Sequence, residues 1–270
     1  MNKFILLLFA SLFSSFSFVS AMPADTRDLT AKIAEDYEIV RTDTFAGGKR
    51  TVFTFEGCEA WVVEPIAAAA GRPWTWTMQW ASAFVPRTPV SKLLSKGWHH
   101  ATVMTFQHKM DEKGLEISRA FQRYLVEKLS FAPKARLIGM SWGGFFSVRY
   151  SATYPDAVKS IYLDAPLLTF GKFTAPSPWK ENPPADGDWT GDPRMPVNMA
   201  GRLAEMKIPV LLLYGGHDLV VDPKENSIAF IERFKAAGGD ITVVCRKAYG
   251  HHPHGVEVDE WSVADYLLEH

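Results

Sequence analysis

The segment that most constrains the fold is residues 139–143, which read Gly-Met-Ser-Trp-Gly and match the pattern Gly-x-Ser-x-Gly. A short apolar run precedes it, and bulky residues at helical spacing follow it as far as Pro155. This order predicts a strand, a sharp turn and a helix. Because the serine in such a turn has a strained backbone, small residues are needed on both sides of it. We therefore predict that Ser141 is a nucleophile lifted off a sheet and set against the first amides of a helix, which stabilise developing negative charge.

Strand-like and helix-like segments alternate along most of the chain. Residues 51–55 and 60–65 have the period of two of an antiparallel hairpin. Further strands are predicted at 74–80, 101–106, 136–138, 160–164, 210–214 and 241–245, and helices at 90–96, 115–129, 144–155, 223–237 and 259–268. Strands that alternate with helices predict an α/β fold whose central sheet is mostly parallel and flanked by helices.

Residues 165–206 interrupt this alternation, since they are rich in proline and show little periodicity. Long irregular segments inside a compact domain usually serve function. We interpret the segment as a cap-like insertion over the active site, within a single domain at residues 22–270. Its tryptophans Trp179 and Trp189 are predicted to bind substrate, because aromatic side chains commonly line pockets.

The first 21 residues have the features of a secretory signal peptide. Lys3 is followed by an apolar core at 4–19 and by the small-residue triplet Val-Ser-Ala at 19–21. The interpretation is a protein exported to the periplasm or secreted, with no membrane contact after cleavage; a retained anchor is the alternative. The formal charge of −1, without a basic cluster, argues against a nucleic-acid partner. Oligomeric state is left open by these patterns.

The two cysteines, Cys58 and Cys245, lie in strand-like runs expected at opposite ends of the sheet. We predict that they form no disulfide and are small buried side chains. They lack metal-ligand spacing, and neither a metal nor a cofactor is predicted. The three histidines at positions 99, 100 and 108 are expected on the surface or in loops.

A serine nucleophile needs a base and an acid, and both follow later predicted strands. Asp218 comes after the strand at 210–214, and His251 comes after the strand at 241–245. Histidine can take the serine proton near neutral pH and return it to the leaving group, while aspartate fixes the imidazole tautomer. Loops at the carboxyl ends of parallel strands are where catalytic sites are built. Ser141, Asp218 and His251 are therefore the predicted catalytic residues.

Neighbouring residues leave alternatives for each role. His252 and His254 are the other candidates for the base, and His254 is also predicted to contact substrate. Asp164 is the second candidate for the acid, whereas Asp222 is the expected cap of a helix that begins with a proline.

The oxyanion of a tetrahedral intermediate requires two backbone amides. One is predicted at Trp142, the residue after the nucleophile, and the other at Trp80, in the loop after the strand at 74–80.

Four motifs give the mature chain a resemblance to the α/β-hydrolases, and more narrowly to exported bacterial esterases. They are Pro-Trp-Thr-Trp at 73–76, Gly-Met-Ser at 139–141, Asp-Ala-Pro at 164–166 and Gly-His-His-Pro-His-Gly at 250–255. The resemblance implies an α/β-hydrolase fold and a Ser-Asp-His triad in that chain order. The group is similar to carbohydrate esterases, including ones that demethylate pectic uronic acids. Many members carry arginine after the nucleophile, where this chain has Trp142, and this difference favours neutral ester substrates.

The function predicted from these patterns is an exported serine hydrolase that cleaves carboxylic esters through an acyl-enzyme. The expected substrate is a small-molecule or oligosaccharide ester carrying a carbohydrate-linked acetyl or methyl group. A prolyl-oligopeptidase-like serine peptidase is the alternative, and a non-catalytic binding protein is a third interpretation.

Overall fold

The computed structural model describes residues 28–251, 257–258 and 261–270. The predictions for the signal peptide, His252 and His254 lie outside the described residues. The main sheet has nine strands in the order β1-β2-β3-β5-β4-β6-β7-β8-β9. Its strands are β1 Ile39–Phe45, β2 Gly48–Phe55, β3 Cys58–Glu64, β4 Trp74–Thr77, β5 His99–Val103, β6 Ala135–Met140, β7 Val158–Asp164, β8 Val210–Gly215 and β9 Ile241–Arg246. A small separate ladder pairs β10 Glu257–Val258 with β11 Trp261–Ser262.

Pairing within the main sheet confirms the predicted α/β class. Strands β1, β2, β3 and β5 pair antiparallel, whereas every pairing from β5 through β4, β6, β7 and β8 to β9 is parallel. The predicted hairpin is β2–β3. In the parallel part all strand carboxyl ends lie at one edge of the sheet.

Helices cover both faces of the sheet. One face packs in a large core with α1, α3, α4, α5 and α6, and the other face packs with α2 and α7. The helices are α1 Leu29–Asp36, α2 Val90–Ser95, α3 Glu112–Glu127, α4 Trp142–Thr153, α5 Ala200–Glu205, α6 Ala229–Ala236 and α7 Val263–Glu269. The single helix predicted at 223–237 is a π-helical turn at Lys224–Ile228 followed by α6. Among the described residues, no helix is both long and apolar enough to cross a bilayer.

Helix α1 and strand β1 were not predicted from the sequence. Asp28 caps α1 by accepting a hydrogen bond from the Ala31 amide at 2.8 Å, and Leu29 and Ile33 are buried in the large core. The signal was an aspartate before a short apolar pattern, which is typical of a helix start.

Residues 165–206, predicted as a cap-like insertion, pack mostly into the core of the domain, and their position as a cap stays a prediction. This segment consists of loops and short 3-10 turns before α5, and many of its apolar side chains join the large core on one face of the sheet. Those side chains are Leu168, Phe170, Ala175, Trp179, Trp189, Met195, Val197, Ala200 and Leu203. These side chains contribute to the stability of the fold, because removing apolar surface from water is stabilising.

One cysteine and two histidines differ from expectation in burial. Cys58 is buried as predicted, but Cys245 is exposed on edge strand β9. His99 and His100 are buried within β5 rather than on the surface, since β5 lies between β3 and β4 and is covered on both faces. Burial lowers the pKa of His99 to about 4 and that of His100 to about 3, so both imidazoles are neutral near pH 7.

Candidate active site

Ser141 occupies the sharp turn between β6 and α4. Its backbone has φ 51° and ψ −117°, a strained conformation for a residue with a side chain. Glycine is needed at position 139, because a Cβ there would lie 2.6 Å from the Ser147 hydroxyl oxygen. At Gly144 a Cβ would overlap Pro166. The turn is tied to β7 by a 3.0 Å hydrogen bond from the Ser141 amide to the Asp164 carbonyl. The predicted strand, turn and helix are thus present.

A continuous chain of hydrogen bonds joins Ser141, His251 and Asp218. The His251 Nε2 atom lies 3.0 Å from the Ser141 hydroxyl oxygen, and its Nδ1 lies 2.7 Å from Asp218 Oδ2. The second carboxylate oxygen of Asp218 accepts hydrogen bonds from the amides of Val220 and Val221, each at 2.9 Å. The Asp218 side chain is almost fully buried, which holds it in one orientation.

This geometry sets the protonation pattern of the imidazole. An ionised carboxylate only accepts hydrogen bonds, so the short contact to Asp218 assigns the proton to His251 Nδ1. Nε2 is then an acceptor that faces the Ser141 hydroxyl. In this arrangement His251 Nε2 is able to take the proton of the Ser141 hydroxyl during nucleophilic attack.

Ser141 and His251 open into a cavity of about 330 Å³ with a mostly apolar lining. Its other lining residues are Trp80, Ala83, Phe84, Met140, Asp164 and Ala165. Trp80 and Phe84 are 39% and 45% exposed, which places two aromatic side chains on the solvent side of the cavity. A cavity with an apolar wall and a few convergent polar groups is typical of a small-molecule site. In the described part of the chain, no cluster of three or more His, Cys, Asp or Glu side chains could hold a metal ion.

A sequence model described as the alpha/beta hydrolase fold matches residues 107–193, the region that holds the Ser141 turn. Solved structures of that architecture match most of the chain. S-formylglutathione hydrolase from Agrobacterium tumefaciens is 16% identical with a TM-score of 0.56, over 80% of this chain and 93% of that one. The chain has the α/β-hydrolase fold. No curated protein is recognisably similar to it in sequence.

Two peptidases share the α/β-hydrolase fold with this chain but are much longer. Dipeptidyl peptidase 4 of Porphyromonas gingivalis is 15% identical with a TM-score of 0.58, over 88% of this chain and 35% of that one. Acylaminoacyl peptidase of Pyrococcus horikoshii is 15% identical with a TM-score of 0.52, over 83% of this chain and 40% of that one. At these identities the likeness concerns the fold alone.

The two other aspartates considered for the acid have different partners in this α/β-hydrolase fold. Asp164 is buried at the end of β7, where it accepts a 2.6 Å hydrogen bond from the Tyr162 hydroxyl. Asp222 accepts from the Lys224 amide at 2.9 Å, as expected of a residue that caps a helix start. Since Asp218 holds His251 Nδ1, neither of them has the position of the acid.

The amides predicted to bind an oxyanion come from residues close to Ser141. Trp142 is the first residue of α4, and Trp80 follows the end of β4 and lines the cavity. Their role remains a prediction. Phe84, in the same loop as Trp80, was not identified from the sequence. Its signal was an aromatic residue in a loop after a parallel strand of an α/β fold, where sites are usually built.

Trp179 and Trp189 do not line the cavity, and the prediction that they bind substrate is corrected. Trp179 is 6% exposed and Trp189 is 2% exposed. Both rings pack in T-shaped contacts against Phe170, and the Trp179 indole nitrogen donates to the Lys109 carbonyl at 3.0 Å. Because these rings fill the core, they have no free face on which a sugar could stack.

Trp179→Ala is expected to lower the free energy of unfolding by about 3 kcal/mol, since it leaves a large cavity in the core. The ratio of kcat/KM for p-nitrophenyl hexanoate to that for the acetate should stay unchanged. Urea unfolding and steady-state kinetics measure the two effects. Phe173→Ala is the matched control in the same segment, because Phe173 is 79% exposed and its loss should cost less than about 0.5 kcal/mol. A changed ratio in the Trp179 variant would restore the substrate-binding interpretation.

Gly215→Ala is expected to lower kcat/KM by about tenfold or more, because a Cβ there would overlap the carbonyls of Tyr249 and Gly250 and displace His251. Gly250→Ala is the control beside the same histidine. Among the described residues, its nearest neighbour would be the His217 carbonyl oxygen at an ordinary 3.6 Å, so activity should be nearly unchanged. Equal activity of the two variants would show that this contact does not position His251.

Proposed function

We propose that this protein is a serine hydrolase that cleaves carboxylic esters through an acyl-enzyme on Ser141. The observation that carries the proposal is the hydrogen-bonded series Ser141–His251–Asp218 at the edge of an apolar cavity. The fold supports a hydrolase, and the residues that would perform the chemistry lie within hydrogen-bond distance of one another.

In the first half of the reaction, the Ser141 oxygen attacks the ester carbonyl while His251 Nε2 takes the hydroxyl proton. The carbonyl oxygen gains negative charge, which the amides of Trp142 and Trp80 are proposed to stabilise. Asp218 stabilises the imidazolium that forms. The tetrahedral intermediate then collapses, the bond to the alcohol oxygen breaks, and His251 returns the proton to the alcohol.

In the second half, water attacks the acyl-enzyme with His251 again acting as base. The carbon–oxygen bond to Ser141 breaks, the acid is released and the serine regains its proton. Each group ends in its starting state, so the cycle requires no cofactor.

The proposed substrate is a neutral ester in which one part is small, such as the acetyl group of an acetylated carbohydrate or the methoxy group of a methyl-esterified one. The cavity volume of about 330 Å³ suits a small group beside Ser141. Trp80 and Phe84, partly exposed beside it, offer aromatic surface to the rest of the substrate. Export to the periplasm or medium is also a proposal, supported by the signal-like composition of residues 1–21.

A serine peptidase is the second candidate. The fold shared with dipeptidyl peptidase 4 and acylaminoacyl peptidase supports it, although this chain spans only 35% and 40% of their lengths. A catalytically inactive binding protein is the third candidate, against which the assembled hydrogen-bond chain argues.

Two measurements distinguish these functions, and two more test the substrate and export. A fluorophosphonate probe should label the wild-type protein at Ser141, whereas a binding protein would stay unlabelled. Hydrolysis of p-nitrophenyl acetate but not of peptidyl p-nitroanilides would support an esterase. Hydrolysis of the anilides but not of the ester would support a peptidase. Release of acetate or methanol from acetylated and methyl-esterified oligosaccharides then tests the carbohydrate substrate. N-terminal sequencing of protein from cell fractions tests export.

A further inference from the structure

The ring of Phe106 contacts the side chains of two tryptophans that are far apart in the sequence. Phe106 begins the 3-10 turn Phe106–His108, which follows β5. Its ring centroid lies 5.0 Å from that of Trp80 and 5.7 Å from that of Trp142. These are the two residues whose amides are proposed to bind the oxyanion. One side chain therefore touches both halves of the proposed oxyanion hole.

Trp80 needs such a contact because its backbone is strained. Its φ is 61°, in the left-handed region that bulky residues rarely occupy. A conformation of this kind persists only where surrounding structure holds it. The indole is 39% exposed, and the ring of Phe106 supports it on the protein side. Removal of that ring would allow Trp80 to relax and would turn its amide.

Phe106 is itself firmly placed. Its ring stacks on Phe146 of α4, with centroids 6.3 Å apart and planes at 13°. The Lys109 ammonium lies 3.5 Å from the ring centroid and donates a 2.8 Å hydrogen bond to the Phe106 carbonyl. Since α4 begins at Trp142, the ring connects the Trp80 loop to the same helix that presents the second amide.

We propose that Phe106 is a positioning residue that sets the separation of the Trp80 and Trp142 amides. The inference rests on the proposed function and adds a residue that, in the described structure, does not itself line the cavity but contacts Trp80, which does. Oxyanion donors act only when they lie within hydrogen-bond distance of the charge that develops in the transition state. Phe106 acts through that geometry, so its loss should weaken transition-state binding more than substrate binding.

The test compares Phe106→Ala, Phe106→Leu and Phe106→Tyr in the full chain. For p-nitrophenyl acetate, kcat of Phe106→Ala should fall by about tenfold or more with KM within about twofold of wild type. The inhibition constant of phenylboronic acid, which forms a tetrahedral adduct on the serine, should rise by the same factor. The rate of fluorophosphonate labelling should fall in parallel. Phe106→Tyr should keep the wild-type kcat, inhibition constant and labelling rate because it retains the ring. Phe106→Leu is the variant to measure if Phe106→Ala destabilises the fold.

Phe131→Ala is the matched control, because Phe131 is buried in the same core but packs on Trp74 and His99. It should lower Tm at least as much as Phe106→Ala yet leave kcat within about twofold. If Phe106→Ala and Phe106→Leu lower only Tm, or raise only KM, the positioning role is overturned. If the wild type is neither labelled at Ser141 nor active on esters, the proposed function fails, and this inference with it.

Discussion

Ser141→Ala is expected to lower kcat for p-nitrophenyl acetate by about 10⁴- to 10⁶-fold, because it removes the nucleophile proposed to form the acyl-enzyme. His251→Ala should cause a loss of similar size. The double variant should be little worse than either single one, since the two residues act as a unit. Steady-state kinetics with active-site labelling measures these effects, and circular dichroism checks that the fold is retained.

Ser151→Ala is the control for the serine variant, because Ser151 is a buried serine of α4 whose hydroxyl donates a hydrogen bond within the helix, to the Ser147 carbonyl at 2.7 Å. Its activity should match wild type. If Ser141→Ala keeps more than about a tenth of the wild-type kcat, Ser141 is not the nucleophile.

Asp218→Asn is expected to lower kcat by about 10²- to 10⁴-fold without unfolding the protein. The asparagine keeps the shape of the side chain, and its oxygen can still accept from the amides of Val220 and Val221. Its amide group would then face His251 Nδ1, which could no longer donate its proton there. The imidazole would adopt the wrong tautomer, with the proton on Nε2 and no acceptor left for the Ser141 hydroxyl.

Asp164→Asn is the matched comparison, since Asp164 is also a buried aspartate and lines the cavity. Its carboxylate accepts a hydrogen bond from the Tyr162 hydroxyl, and the side-chain oxygen of an asparagine can accept the same hydrogen bond. The loss should therefore be less than about tenfold. Both effects are measured as kcat on the same ester. If kcat falls more in Asp164→Asn than in Asp218→Asn, Asp164 rather than Asp218 is the acid of the triad.

The sequence by itself determined the features that depend on local chemistry. The turn at Ser141 is encoded by small residues at 139, 143 and 144 between an apolar strand and a helix, and the structure has it. The alternation of strands and helices determined the parallel sheet, and chain order then placed Asp218 and His251 after neighbouring strands β8 and β9. These signals are readable because backbone conformation and hydrophobic periodicity act over a few residues.

Contacts between distant segments were decided only by the tertiary structure. Trp179 and Trp189 lie in an irregular segment, and nothing local distinguishes an aromatic ring that lines a cavity from one that fills the core. The same holds for His99 and His100, whose burial follows from the central place of β5 in the sheet.

The contact of Phe106 with Trp80 and Trp142 shows the physical reason. These residues follow β5, β4 and β6, which are separated along the chain by helices and loops. Because the sheet order places β4 between β5 and β6, the three strand ends lie side by side and their aromatic rings meet. Strand order is set by the packing of the whole domain, so no local pattern at residue 80, 106 or 142 could have revealed it.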